Sequence, residues 1–454
     1  MRHQRRWQVP AGIGVLATTM ALCAPAFAAP ALASGAGRAA APASSGGPVS
    51  ATAASGTPHL AKTKAQQTIR QLVQCGTTMY AVGDVWNILQ NGKSYRRSNV
   101  FSFSAAAPYT MTAWKPAVNG EVRSIAFVNG NCADAYIGGS FTSAGGTAVK
   151  NVAEISTRTG AVVPAFGHNA NGRVDTLAGY QGHLLAGGEF TQTNGVSRSY
   201  FESLSPSTGK VDGFVNLNIS GHVRGMAPQV YNQQISHRGT LDLVEGNFTS
   251  VAGRPRQQIF MLNLAGSTAR VTKWTSPEFS QHCKRVEAFY VRSATWSPGD
   301  STIYLADTGD HPLNWKKGDF PLHGLCDAVA AFPATQTSVT HKWVEYSGCD
   351  SYYSVAADGG AVYAAGHPRW AGNPDGCNRR GRGAVPDRGL QGLNPANGTV
   401  ETSGGKAVYS MSRANADSML ITHAGLWIAS SNRFGSSWCD GRSGHAGICF
   451  LHYP

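Results

Sequence analysis

The chain has 454 residues, of which 54 are glycine and 14% are charged, and its formal net charge at pH 7 is +13. The abundant glycine and the scarcity of helix-length periodic segments exclude a mainly helical protein and favour an all-β fold. The positive charge suits anionic partners such as cell-wall polymers or acidic glycans, and equally a basic surface without a specific partner. Nucleic acid is disfavoured as a partner because the sequence has no basic helix.

Residues 1–33 have the pattern of a secretory signal peptide. Arg2, Arg5 and Arg6 precede an apolar stretch at 13–24, and small residues suited to cleavage follow it. That stretch is too short to span a membrane, and no later segment is long enough, so we expect a secreted, extracellular protein without a membrane span. Residues 34–58 are mostly Ala, Ser, Gly and Pro, which predicts a flexible linker.

A repeated unit organises the rest of the chain. Gly-Gly-x-Phe-Thr occurs at 138–142 and at 187–191, each time followed by a loop, a short apolar run and Thr-Gly. A period of about 50 residues with four short strands is typical of a β-propeller, whose blades cannot bury their faces alone. We therefore predict a seven-bladed β-propeller over 59–454. Its inner strands are expected to start near Gln71, Val122, Val174, Val223, Val286, Tyr353 and Ser418.

Two details of the repeat carry further predictions. The glycine pairs should let the second strand crowd against the neighbouring blade, and Phe141, Phe190 and Phe248 should pack between blades. The seventh unit stops after three strands at the C-terminus. We therefore expect an N-terminal strand at about 59–68 to complete the last blade and close the ring.

The cysteines predict four disulfides and no metal site. Nine are present, and Cys23 lies in the signal, which leaves an even number in an exported protein. In a propeller, the loop leading into a blade and the loop between its second and third strands share a face. Partners on a common face then give the pairs Cys283–Cys326, Cys349–Cys377, Cys439–Cys449 and Cys75–Cys132. No cofactor is expected.

The repeat resembles that of secreted actinobacterial β-propeller proteins with delta-60-type repeats. The likeness rests on the Gly-Gly-x-Phe-Thr units, on "EGNFTSVAGRPR" at 245–256, and on "AGHPRWAGNPDG" with "GAVPDRGLQGLNPANGTV" in the sixth unit. It covers roughly 70–454, although Ala306-Asp307 replaces the glycine pair in the fifth unit. The resemblance implies the fold and leaves the activity open.

Long loops in units five to seven are the predicted location of function. They lie at 307–326, 366–389 and 431–449 and concentrate His, Trp, Arg and Asp. Aromatic rings beside polar groups suit sugar binding, since a ring stacks on a sugar face while polar groups fix its hydroxyls. The candidate ligand-binding residues are His311, Trp315, His323, His367, Arg369, Trp370, Asp387 and Trp438. The competing interpretation for each residue is a structural role within its own loop.

The sequence favours a binding module for carbohydrate, a cell-wall polymer or another extracellular ligand, in a monomeric protein. One alternative is a polysaccharide lyase or hydrolase, which needs either paired carboxylates or a His or Tyr base beside Arg. Another is a platform that binds an extracellular protein. No catalytic residue can be assigned, because acidic residues are numerous in the loops.

Overall fold

The protein is all-β. A computed structural model describes residues 47–280, 282–284, 289–335, 337–411, 416–432 and 445–454, and the helical content of these ranges is one 3-10 turn, Pro277–Ser280. None of the described residues forms a helix with the length and apolar character needed to cross a bilayer. The predicted signal peptide lies outside the described residues.

Seven antiparallel sheets in the described residues each combine an inner, a second and a third strand, and we number these sheets 1 to 7 in chain order. Their inner strands are Thr68–Cys75, Glu121–Ala126, Val174–Tyr180, Gln229–Ile235, Tyr290–Trp296, Tyr352–Ala357 and Ala416–Thr422. The second strands are Thr78–Asp84, Asp134–Ser140, His183–Gly188, Leu241–Asn247, Thr302–Thr308, Val362–Gly366 and Gly425–Ser430. The third strands are Val100–Ser104, Val152–Ser156, Phe201–Leu204, Ile259–Asn263, Ala328–Pro333, Leu390–Leu393 and Ile448–His452.

Fourth strands are short. Sheets 4 and 5 have Arg270–Val271 and Trp343–Tyr346, whereas single bridges to Met111, Val162, Val211 and Val400 take this place in sheets 1, 2, 3 and 6. Small ribbons fill the remaining loops. They are His59–Leu60 with Asn87–Gln90 and Lys93–Arg96; Ser143–Ala144 with Thr147–Ala148; Gln192–Thr193 with Val196–Ser197; Ile219–Ser220 with Ser250–Val251 and Arg254–Pro255; Trp370–Ala371 with Val385–Pro386; and Thr402–Ser403 with Lys406–Ala407.

The sheets follow one another in a ring. Each inner strand contacts the inner strand of the next sheet, and the inner strand of sheet 7 contacts that of sheet 1. Hydrophobic clusters fill the space between each consecutive pair, including Trp427 and Phe450 of sheet 7 against Phe101 and Phe103 of sheet 1. This is a propeller-like arrangement. The predicted inter-sheet positions of Phe141, Phe190 and Phe248 are confirmed, since all three are buried in such clusters.

A β-bulge occurs at the same point of every described inner strand. The bulged residues are Arg70, Arg123, Asp175, Tyr231, Arg292, Tyr353 and Asp417. A bulge interrupts the hydrogen bonds of its own ladder. In three sheets, a polar side chain of the previous sheet accepts a hydrogen bond from the backbone N–H two residues after the bulge. Ile125 N donates to Gln71 Oε1 at 2.8 Å, Leu177 N to Ser124 Oγ at 2.9 Å, and Val355 N to Ser293 Oγ at 3.3 Å.

The glycine pairs serve close packing on both sides of the second strand. A Cβ on Gly138 would lie 2.6 Å from the Val174 side chain of the next sheet. A Cβ on Gly139 would lie 2.1 Å from the Glu121 carbonyl oxygen, beside the bulge of its own sheet. Gly187 and Gly188 repeat this geometry in sheet 3. The predicted crowding is therefore confirmed, and its second cause is the bulge.

Two predicted inner strands were misplaced. The strand expected from Val223 begins at Gln229, because Gly225 has a φ of +106° and Pro228 precedes the strand. The strand expected from Val286 is described from Tyr290 onwards, and Val286 itself lies outside the described residues. The apolar residue directly before the bulge marks the register of each strand. This residue is Val230 in sheet 4 and Val291 in sheet 5.

An N-terminal segment pairs with sheet 7, but it starts earlier than predicted. Ser50 N donates to His452 O and Ala54 N to Phe450 O, both at 2.8 Å, so residues 50–54 lie along the third strand of sheet 7. Val49 is buried, and its backbone N–H donates to Tyr363 Oη at 2.9 Å. Within the predicted segment, Leu60 N donates to Ala446 O at 2.7 Å. The boundary expected between residues 58 and 59 is therefore not a boundary of the folded body.

Three disulfides have the predicted partners. They are Cys75–Cys132, Cys283–Cys326 and Cys349–Cys377, with Cα–Cα distances of 5.8, 5.9 and 5.0 Å. Cys439 lies outside the described residues, so its pairing with Cys449 stays a prediction. The first bridge joins sheets 1 and 2, and the other two hold long loops of sheets 5 and 6.

We predict that Ser124→Ala destabilises the protein through its neighbour. The Leu177 N–H would lose its acceptor at a buried position, which should lower the free energy of unfolding by about 1–3 kcal/mol. Urea denaturation followed by tryptophan fluorescence measures this change. Ser207→Ala, at an exposed turn, is the matched control, and an equal effect in both variants would contradict a role for the inter-sheet hydrogen bond.

We also predict that a protein starting at Thr57 is less stable than one starting at Gly47. The shorter form loses the pairing of residues 50–54 and the burial of Val49, worth about 3 kcal/mol together. Chemical denaturation of both forms tests this. Thr52→Ala in the longer form should leave stability unchanged because Thr52 is exposed, and equal stability of the two forms would contradict the prediction.

Candidate functional site

The described loops that follow the second strands lie on one side of the sheets, which we call the loop face. On this side the loop leading into a sheet bridges the loop after its second strand, as Val118 does with Ala144, Ala170 with Thr193, and Cys283 with Pro312. Leu322 N donates to Pro374 O at 2.7 Å and joins the loops of sheets 5 and 6. Backbone pairing thus holds these loops against the rigid sheets.

A cleft of about 690 Å³ opens on the loop face between sheets 4 and 5. Its apolar wall includes Phe279, Phe289 and Leu313, and Leu313 is 40% exposed, unusual for a leucine. The basic lining residues are His222, Arg224, His282 and Lys284, and the described lining contains no carboxylate. Polar groups are added by Thr249, Gln257, Gln258 and Ser280.

The charges of the cleft are unevenly compensated. Lys284 Nζ donates to Asp310 Oδ2 at 2.5 Å, so a carboxylate outside the lining neutralises that ammonium group. Arg224 is exposed, while its backbone oxygen accepts a hydrogen bond from Tyr290 Oη at 2.9 Å. The backbone of Arg224 is therefore fixed to sheet 5, and the described lining of the cleft offers its guanidinium no carboxylate.

Two of the predicted residues adjoin this cleft. The His311 ring lies 4.7 Å from the Trp315 ring, and Trp315 Nε1 donates to Asp319 O at 2.6 Å. Lys284 N donates to His311 O and Leu313 N donates to His282 O, both at 2.9 Å. The ribbon that carries His311 thus forms part of the cleft wall. His323 is exposed in the same loop.

His367 and Arg369 come together around one carboxylate. Arg369 makes two 2.8 Å hydrogen bonds to Asp350, through Nε and Nη2, and a third to Asn378 at 2.9 Å. These bonds to Asp350 raise the pKa of Arg369. His367 Nδ1 lies 3.8 Å from the same carboxylate, and its ring lies 5.6 Å from that of Tyr353. Arg369 is therefore already engaged within its loop.

Trp370 and Asp387 have structural surroundings. Trp370 lies in a two-residue strand paired with Val385–Pro386, and its Nε1 is buried without a hydrogen-bond partner. Asp387 is fully buried, and neither carboxyl oxygen has a partner. Burial, with a contribution from Glu345, raises the pKa of Asp387 to about 9. We therefore leave Asp387 out of the proposed site. Trp438 lies outside the described residues.

Sequence reasoning missed the side chains that converge at the centre of the ring. These are the bulged residues of the inner strands, together with Glu121, Arg173 and Glu189. Burial raises the pKa of Asp417 in sheet 7. The positive charges of Arg70 in sheet 1, Arg123 in sheet 2 and Arg292 in sheet 5 oppose this rise. Sheets so far apart in the ring can act on one carboxylate only if their side chains meet near its axis.

The bulged residues of the seven inner strands form what we call the axial ring, and a repeated sequence pattern marks their positions. An apolar residue, then Arg, Asp or Tyr, then a polar residue recurs at 69–71, 122–124, 174–176, 230–232, 291–293 and 352–354, and Ala416-Asp417-Ser418 is similar. The misplaced registers in sheets 4 and 5 hid Tyr231 and Arg292 from this comparison. With the correct registers, the polar third residue also predicts the acceptors of the inter-sheet hydrogen bonds.

One described cluster has metal-ligand spacing, and its sulfurs are already bonded. Asp310, Cys349 and Cys377 offer ligand atoms within 4.8 Å of one another, but the two cysteines form a disulfide with each other. A disulfide sulfur is a poor metal ligand because metal binding by cysteine requires the thiolate. This cluster therefore joins loops of sheets 5 and 6.

Comparison with known proteins gives little direct guidance. No family model and no curated protein matches the chain. Among solved structures, the WD40 β-propeller domain of Doa1 is 11% identical with a TM-score of 0.44, over 82% of this chain and 94% of that domain. The extracellular domain of a putative one-component system from B. thetaiotaomicron is 10% identical with a TM-score of 0.46, over 88% of this chain and 40% of that one.

A computationally designed protein, Ika8, is also similar, at 7% identity and a TM-score of 0.44, over 87% of this chain and all of the designed one. TM-scores below 0.5 carry no argument about function. The propeller-like arrangement rests instead on the order of contacts between the sheets themselves.

The buried carboxyl of Asp387 gives a pH-dependence that can be tested. Folded Asp387 keeps its proton up to a pH of about 9, while the unfolded chain releases it near the ordinary pKa of 3.8. The unfolded state therefore binds fewer protons between these values, and this residue makes stability fall as pH rises. We predict that Asp387→Asn is more stable than the parent at pH 8 by on the order of 2 kcal/mol, and that the difference shrinks towards pH 4.5.

Urea denaturation of both proteins at pH 4.5 and 8 measures this difference. Asp319→Asn is the control, since Asp319 is exposed in the loop of sheet 5 and should not change the pH-dependence. A gap between Asp387→Asn and the parent that is the same at both pH values would contradict the assigned protonation.

Proposed function

We propose that the chain is a secreted seven-bladed β-propeller, similar to the delta-60-repeat proteins of actinobacteria, that binds carbohydrate or another cell-envelope ligand. The cleft between sheets 4 and 5 is the observation that carries this proposal. Its volume of about 690 Å³ is typical of small-ligand sites, which combine apolar walls with a few polar groups. The disulfides support export, because such bonds persist in oxidising compartments.

The sequence predicted a site on the long loops of units five to seven, whereas the cleft lies between sheets 4 and 5. The loop of sheet 5 remains part of it through Leu313 and the ribbon of His311, but the opposite wall comes from sheet 4. Arg224 and Gln257 there can donate hydrogen bonds, while Leu313 offers apolar contact. The basic lining favours an acidic glycan or an anionic wall polymer over a neutral one.

An interaction platform is the second candidate function. The exposed Leu313 and the disulfide-held loops of sheets 5 and 6 form a broad, ordered surface that could receive a protein. Catalysis has less support, because a glycosidase needs two carboxyl groups facing its substrate and the described lining of the cleft provides none.

A glycan array with the mature protein tests the proposal, with neutral glycans, acidic glycans and wall polymers as probes. We predict preferential binding to acidic probes, and a dissociation constant for the best probe that rises about tenfold in Arg224→Ala, as expected for loss of one charged contact. Isothermal titration calorimetry gives these constants. Arg158→Ala, in an exposed turn of sheet 2 away from the loop face, is the matched control.

The outcomes separate the candidates. Binding that Arg224→Ala leaves unchanged would place the ligand outside the cleft. Silence across the array, together with co-purification of a protein from culture fluid, would favour the interaction platform.

A further inference from the structure

The axial ring divides into two chemically different halves. In ring order, sheets 7, 1, 2 and 3 contribute Asp417, Arg70, Arg123 and Asp175, whereas sheets 4, 5 and 6 contribute Tyr231, Arg292 and Tyr353. The first half combines two carboxylates with two guanidinium groups, which can neutralise one another. The second half places one guanidinium between two phenol side chains.

The first half is a closed network of ion pairs. Arg70 binds Glu121 at 2.7 Å and Asp417 at 2.5 Å. Arg123 lies 3.0 Å from Glu121 and 3.4 Å from Asp175. Arg173 completes the network with 2.7 Å contacts to both Asp175 and Glu189. Four carboxylates thus face three guanidinium groups, and each of the four forms at least one ion pair.

Arg292 forms no ion pair with this network, although its charge acts at longer range on Asp417. Among the described residues no carboxylate oxygen lies within ion-pair distance of its guanidinium, and its recorded contact is the Tyr231 ring, with Cζ 5.4 Å from the ring centroid. The residue is half-buried, so solvation of its charge is reduced while a path to solvent remains. A guanidinium in such a position has up to five N–H donors in a planar fork, a geometry that matches carboxylate and phosphate oxygens.

The two tyrosines hold the bulge positions of sheets 4 and 6, the sheets on either side of sheet 5. Tyr231 is held in position because its hydroxyl donates to the Val291 carbonyl oxygen of the neighbouring strand. Tyr353 holds the bulge position of sheet 6, next to that of Arg292 in sheet 5. Burial and the nearby Asp327 carboxyl raise the pKa of Tyr353, whereas Arg292 opposes that rise. Tyr353 also packs near His367 of the loop face. Its hydroxyl remains protonated at neutral pH and can donate to an anion.

We propose that Tyr231, Arg292 and Tyr353 form an axial binding site for an oxyanion, the carboxylate or phosphate group of a small ligand or of the end of a longer one. The guanidinium fork of Arg292 binds two oxygens, and the Tyr353 hydroxyl donates to one of them. This site is separate from the cleft between sheets 4 and 5, and the proposal does not depend on the proposed function of that cleft.

Ligand-observed NMR titration of the mature protein with three small probes tests the site. The probes are D-glucuronate for a carboxylate, glycerol 1-phosphate for a phosphate, and D-glucose as the neutral reference. We expect at least one acid to bind at concentrations where glucose does not, and preference between the two acids identifies which oxyanion is favoured. Affinity should also fall as salt is added, because the contact is ionic.

Variants assign that binding to residues. Arg292→Gln should weaken the bound acid at least tenfold, Arg292→Lys should retain part of the affinity because the charge stays while the fork is lost, and Tyr353→Phe should weaken it several-fold. Arg292→Gln leaves no carboxylate without its partner, so its melting temperature should match the parent and show that the fold is intact. Arg158→Gln is the matched control for the loss of one positive charge.

Two results would overturn the proposal. One is that neither acid binds the parent protein better than glucose. The other is that Arg292→Gln, with an unchanged melting temperature, binds the acid as tightly as the parent. If Arg224→Ala abolishes the binding while Arg292→Gln does not, the monomeric acids bind in the cleft, and the axial proposal is wrong while the cleft proposal is supported.

Discussion

A repeated bulge in the inner strand is the constraint on which this structure depends. Each bulge inserts one residue into the ladder and turns its side chain towards the centre of the ring, where neighbouring sheets can exchange charges. The same irregularity frees a backbone N–H that Gln71, Ser124 or Ser293 of the previous sheet accepts. The bulge therefore joins adjacent sheets and supplies the axial side chains at once.

The bulge also explains the conserved pattern of the repeat within this chain. It brings the inner strand so close to the second strand that a Cβ at Gly139 or Gly188 would meet a carbonyl oxygen at 2.1 Å. The preceding glycine, at 138 or 187, leaves room for a valine of the next sheet. Where sheet 5 has Ala306 and Asp307 instead, the Asp307 carboxyl is fully buried, and the Ala328 N–H binds one of its oxygens.

Charged side chains are paired differently at the axis and on the loop face. At the axis, Glu121 and Asp175 each bind two guanidinium groups, so removal of one guanidinium leaves a carboxylate with only part of its compensation. On the loop face, carboxylates lie behind the cations: Asp310 holds Lys284 and Asp350 holds Arg369. Among the described residues, Arg224 in the cleft and Arg292 on the axis have no carboxylate at ion-pair distance, and both proposals of anion binding rest on these two groups.

The sequence alone determined the strand order, the packing of Phe141, Phe190 and Phe248, and three cysteine pairs, because these follow from local periodicity and from which loops share a face. It also selected His311 and Trp315, whose ribbon adjoins the cleft. It could not place Arg224, Tyr231 or Arg292, since a bulge shifts the register by one residue and the gap between Leu204 and Gln229 offers several apolar starts. Tertiary structure alone decided that Asp387 is buried, that residues 50–54 pair with sheet 7, and that Arg292 lacks a carboxylate. Burial and charge pairing depend on which distant strands become neighbours, and that information is spread over the whole ring rather than held in any one repeat.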